Sequence, residues 1–144
     1  MTEKRKILVA VDGSEKSYHA FSEALEYGEK AEITLLAVVD QSLPNDQEFY
    51  LSPEYQILPE TDEFETIAET YLNQLVASTD VKKPVKKVTA EGDASKQIVE
   101  YAEKHAIDLI ILGRTGKNAV ERMLLGSTSA YVTKHAPCSV LIVN

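Results

Sequence analysis

Hydrophobic positions along this chain follow two alternating rhythms. Lys6-Ile7-Leu8-Val9-Ala10-Val11 is a short, almost continuously apolar run that stops at Asp12-Gly13-Ser14, as expected of a strand buried on both faces and ended by a turn. From Ser14 to Lys30 the period lengthens. Tyr18, Phe21, Ala24, Leu25 and Gly28 recur at helical spacing, which predicts an amphipathic helix capped by Ser14, with Gly28 close to its end. Ile33 to Val39 reads as a second buried strand, ending at Asp40. Thr61 to Ser78 returns to helical spacing through Phe64, Ile67, Ala68, Tyr71, Leu72, Leu75 and Val76.

After Pro84, the stretch from Val85 to Glu91 alternates apolar and polar residues more than the earlier strands do, which predicts a less covered strand at the sheet edge. Gly92-Asp93 turns the chain, and a third helix begins at Ala94 or Ser95 with Ile98, Val99, Tyr101, Ala102 and His105 along one side. Asp108 to Leu112 supplies the fourth strand, Ser127 to His135 a last helix, and Ser139 to Val143 a fifth strand. Residues 41–60 hold Pro44, Pro53 and Pro59 and show neither period. A connection of that length is unusual inside a compact domain, so a short helix or a flap is expected there.

Strands and helices thus alternate from end to end. Nearly all-apolar strands in that order imply an α/β fold: a five-stranded, mostly parallel sheet with helices on both faces, binding ligands at the carboxyl ends of its strands. Three of those ends should meet at one edge: Ala10-Val11-Asp12, Val38-Val39-Asp40 and Leu112-Gly113.

With 144 residues, the chain suits one compact domain. It contains no apolar stretch approaching the roughly 20 residues of a membrane span, and no signal-peptide pattern precedes the first strand, so a soluble, cytoplasmic protein is expected. Cys138 is the only cysteine, which excludes an intramolecular disulfide, and its apolar surroundings read as those of an inert thiol. The net charge of −8 argues against a nucleic-acid surface. Its distribution is uneven. Residues 113–144 carry Arg114, Lys117, Arg122 and Lys134 against Glu121, a net of +3, which leaves −11 for residues 1–112. A basic island in an acidic protein suits a small polyanion bound at one spot, and four cations on a solvated face are the bland alternative.

That island contains Gly113-Arg-Thr-Gly116, nine further residues, and Gly126-Ser127. A glycine segment between a strand and a helix is where an α/β protein presents backbone N–H groups to phosphate. Gly113, Gly116 and Gly126 would let the backbone approach a ligand, and Ser127, Thr128 and Ser129 would add hydroxyls. Ordinary turn chemistry produces glycines in such places too. Asp12 reads either as a ligand or metal contact or as a turn carboxylate capping the first helix.

The Gly-x2-Gly-x9-Gly-Ser spacing, the opening ILVAVDGS, the LILGRTG-like fourth-strand segment and the closing APCSVLIV together resemble the universal stress protein family, in particular its ATP-binding branch, over essentially the whole chain. The resemblance implies one universal stress protein domain over residues 1–144, with a Rossmann-like, adenine nucleotide alpha hydrolase-like fold of strand order 3-2-1-4-5. It further implies ATP and Mg²⁺ as ligands. Adenine would be held by backbone at Val38, Asp12 would line the pocket beside Ala10 and Leu112, and phosphates and ribose would lie against Gly113, Thr115, Gly116, Gly126, Ser127, Thr128 and Ser129. Ala10 stands where some ATP-binding members carry proline, a difference of packing rather than of hydrogen bonding. A homodimer through the last strand is also implied.

Two classes of function follow. A regulatory module would bind ATP with little or no turnover in a stress response, whereas an enzyme would hydrolyse it slowly or transfer its nucleotidyl group. The segment lacks the Gly-x4-Gly-Lys-Ser/Thr spacing of a P-loop, and His19, His105 and His135 fall within or at the ends of predicted helices as surface residues, so no catalytic residue is assigned. A nucleotide-free interaction protein is the third and weakest reading.

Overall fold

The structure, a computed structural model, describes residues 5–12, 15–39, 61–79, 84–113 and 127–143. Among the described residues five strands and four α-helices alternate: β1 Arg5–Val11, α1 Glu15–Leu25, β2 Ala31–Val39, α2 Thr61–Ala77, β3 Lys86–Glu91, α3 Ala94–Lys104, β4 Leu109–Gly113, α4 Ser127–His135 and β5 Ser139–Val143. The strands form one parallel sheet in the order β3-β2-β1-β4-β5, the order implied by the family resemblance. The expected cap Ser14, and the 41–60 connection, lie outside the described residues.

Period-two alternation divides the strands between two cores. Ile7, Val9 and Val11 of β1, with Ile33, Leu35, Ala37 and Val39 of β2 and Leu109 and Ile111 of β4, pack under α1 and α2 around Phe21, Ala24, Ala68 and Leu72. The intervening Leu8, Leu36, Ile110 and Leu112 pack under α3 and α4 with Ile98, Val99, Ala102 and Val132. Each fully buried Leu, Ile or Phe contributes about 1.5–3 kcal/mol of transfer free energy. Both faces of the three central strands are covered in this way, and this explains why their sequences show no polar alternation. β3 has exposed Lys86 and Lys87 and lies at one edge, as its alternating pattern predicts.

Element ends depart from the periodicity where side chains or glycine intervene. α1 stops at Leu25, earlier than expected, because Gly28 takes a left-handed φ of 67°. Tighter backbone bonds, Glu26 N–H to Glu23 C=O and Tyr27 N–H to Ala24 C=O, lead there into a 3-10 turn over Gly28–Lys30. β4 begins at Leu109 rather than Asp108, since the Asp108 carboxylate accepts the Lys6 N–H at 2.8 Å while the Asp108 N–H donates to the Lys6 carbonyl at 2.9 Å. This pair of bonds joins the amino ends of β1 and β4. Among the described residues, no helix is long and apolar enough to cross a membrane.

Candidate functional site

In the order β3-β2-β1-β4-β5 the chain winds outward from β1 through β2 and β3, then crosses to β4 on the other side. At such a switch point the connections leave the carboxyl ends of adjacent strands in opposite directions and open a crevice. β1 and β4 are paired there, with Ala10 opposite Leu112. The crevice is lined by Ala10, Val11 and Asp12, by Leu36 and Val38 of β2, by Leu112 and Gly113 of β4, and by Ser17, Ala94, Ile98, Thr128 and Ser129 from the helices. The cavity proper is small, about 50 Å³, and opens to solvent through a mouth that brings the empty space to about 540 Å³.

Parallel topology brings the first turns of α1, α3 and α4 to this edge, through Ser17, Ala94 and Thr128–Ser129 respectively. Helix N-termini carry unpaired N–H groups and a partial positive charge. The α3 terminus is already matched: Asp93 Oδ1 accepts the Lys96 N–H at 3.2 Å and the Ser95 hydroxyl at 2.6 Å. These bonds hold the Asp93 carboxyl below the usual carboxylate range. α3 contributes apolar Ala94 and Ile98 to the lining, together with Leu36 and Val38 of β2. The polar part of the lining comes from Asp12, Ser17, Thr128 and Ser129; Ser17 and Ser129 are 2% and 1% exposed.

The structure thus brings together Ala10, Val11, Asp12, Val38, Leu112, Gly113, Thr128 and Ser129 of the residues singled out from sequence. Ser127 opens α4, while Thr115, Gly116 and Gly126, with Arg114, Lys117 and Arg122, lie outside the described residues. Gly113 lines the crevice and also has a packing reason to be glycine. A β-carbon there would stand 2.5 Å from both the carbonyl carbon and oxygen of Lys16, so its missing side chain admits the backbone of α1.

Sequence reasoning missed Ser17, Leu36, Ala94 and Ile98. Leu36 stands two residues before Val38, already named, and the α3 pair follows the Gly92-Asp93 turn at the carboxyl end of β3, a strand end left out of the expected crevice. Ser17 carried no signal beyond its place in the first turn of α1. Its hydroxyl lies 3.4 Å from the Tyr71 hydroxyl of α2. Burial pushes the Tyr71 phenol up and the Asp12 charge adds to this, against the hydrogen bond with Ser17.

None of the histidines lines the crevice. His19 meets the Tyr18 ring edge-on at 6.1 Å, His105 stacks on Tyr101 at 4.0 Å, and His135 tilts against Tyr131 at 4.3 Å. Burial and the Asp108 charge push the Cys138 thiol up, opposed by a hydrogen bond with the Ile110 backbone, so it is poorly suited to act as a thiolate. Among the described residues, no group of three or more His, Cys, Asp or Glu side chains is placed to hold a metal ion.

The universal stress protein family model matches residues 4–144. The chain belongs to the universal stress protein family. Universal stress protein MJ0531 of Methanocaldococcus jannaschii is 34% identical to it, over 96% of this chain and 81% of that protein. Among solved structures of the family, the protein UspA from Lactobacillus plantarum superposes with a TM-score of 0.71 at 34% identity, covering 100% of both chains. A family member from Arabidopsis thaliana, solved with AMP bound, has a TM-score of 0.60 at 22% identity, over 96% of this chain and 90% of that one. At that identity the likeness is one of fold.

Proposed function

We propose that this universal stress protein belongs to the ATP-binding branch of its family and acts as a regulatory module, holding ATP with Mg²⁺ in the crevice with little or no turnover. The observation that carries this reading is the gathering at one switch point of Asp12, Val38, Gly113 and Thr128–Ser129, residues far apart in sequence that are expected to serve different parts of one nucleotide. The apolar lining from Ala94, Ile98, Leu36 and Val38 suits a purine. The first turns of α1 and α4 suit phosphates, joined by the backbone at Gly116 and Gly126. The AMP-bound plant relative supports the reading at the level of fold.

Asp12 is a single carboxylate in the polar part of the lining, and Mg²⁺ is commonly held by one or two carboxylates together with substrate phosphates. The ion therefore fits as a companion of the nucleotide, with Asp12 as its protein contact. It would neutralise phosphate charge beside a protein of net charge −8. Residues 1–144 act as one domain in the cytoplasm, and two copies pair through β5, whose partly buried Val140–Val143 form the sheet edge opposite β3.

A stoichiometric incubation with labelled ATP and Mg²⁺ tests the function. Retention of intact ATP together with a raised melting temperature is expected; sustained release of product makes the protein an enzyme instead, and no shift in melting temperature defeats the nucleotide reading. Mass spectrometry of ligand carried through purification distinguishes ATP from AMP. Sedimentation velocity tests the dimer, which Ile142→Glu should dissociate.

A further inference from the structure

The strongest feature left unused by this reading is the hydroxyl of Tyr71. α2 packs its apolar face, Ala68, Leu72 and Leu75, against the sheet, and Tyr71 is half-buried beside that core. Phenylalanine would fill the same space, so the hydroxyl is the part of this side chain that packing does not require. It lies 3.4 Å from Ser17 Oγ, and Ser17 is 2% exposed and lines the crevice together with Asp12. Among the described residues α2 contributes nothing to that lining; Tyr71 reaches it through Ser17.

We propose that Tyr71 is a positioning residue of the crevice, its hydroxyl fixing that of Ser17 in the polar part of the lining and so tying α2 to occupancy of the site. The inference rests on the nucleotide reading above. With its phenol pushed up by burial and by Asp12, Tyr71 remains protonated at neutral pH and retains a proton to share with Ser17.

The test is a thermodynamic cycle of Tyr71→Phe, Ser17→Ala and the double variant, titrated calorimetrically with ATP in excess Mg²⁺, alongside the melting temperature of each unliganded protein. Wild type should bind. Tyr71→Phe should bind roughly fivefold more weakly, the effect of one hydrogen bond, with little change in unliganded melting temperature. The double variant should bind no more weakly than Ser17→Ala alone. Wild type that binds while Tyr71→Phe matches it, or losses that multiply in the double variant, overturn the inference alone. Wild type that does not bind overturns the nucleotide reading and this inference with it.

Discussion

The backbone of Lys16 occupies the space beside Gly113 where any other residue would carry its β-carbon, with contacts of 2.5 Å to that point. The first turn of α1 is thereby set directly on the end of β4, and Ser17 reaches the crevice from that turn. Neither partner at this contact is a flexible side-chain end that can move aside. Gly113→Ala should therefore force α1 outward and destabilise the fold by about 1–3 kcal/mol, the usual range for overpacking. The urea midpoint measures this. An unchanged midpoint would mean that α1 does not sit so close.

Gly126→Val should behave in the opposite way. If Gly126 bares its backbone to phosphate, a side chain there should abolish ATP binding by calorimetry while leaving the melting temperature unchanged. Intact affinity would remove Gly126 from the site.

Asp93 caps α3 through the Lys96 N–H, and loss of such a cap costs about 1 kcal/mol. Asp93→Ala should show that loss at neutral pH. Because its hydrogen bonds lower the folded-state pKa, the stabilisation is fully present above the unfolded carboxylate value of about 3.9 and disappears as pH falls through the lower folded value. The gap in urea midpoint between wild type and Asp93→Ala should hold from pH 7 to about 5 and close only in stronger acid. A gap that widens on acidification would contradict the assignment.

Phe21 is fully buried between α1 and the sheet. Phe21→Ala should cost about 3–5 kcal/mol in chemical denaturation. A smaller loss would indicate that α1 collapses into the vacated space.

The elements were legible because each is a local periodic signal. Continuous apolar runs mark β1, β2 and β4, and spacing of three to four residues marks the helices; several ends shifted by a residue or more, at Asp108 through a side chain and at Gly28 through a left-handed glycine. Sequence by itself thus determined the alternation of elements, the edge character of β3 and eight of the residues lining the crevice, while the strand order came from family resemblance. Only tertiary structure decided that Gly113 serves α1, that Ala94 and Ile98 join the lining of the crevice, and that Tyr71 stands against Ser17. The reason is physical. Periodicity records which face of an element avoids water, but an approach between elements distant in the chain depends on how all of them pack at once, and no local pattern encodes it.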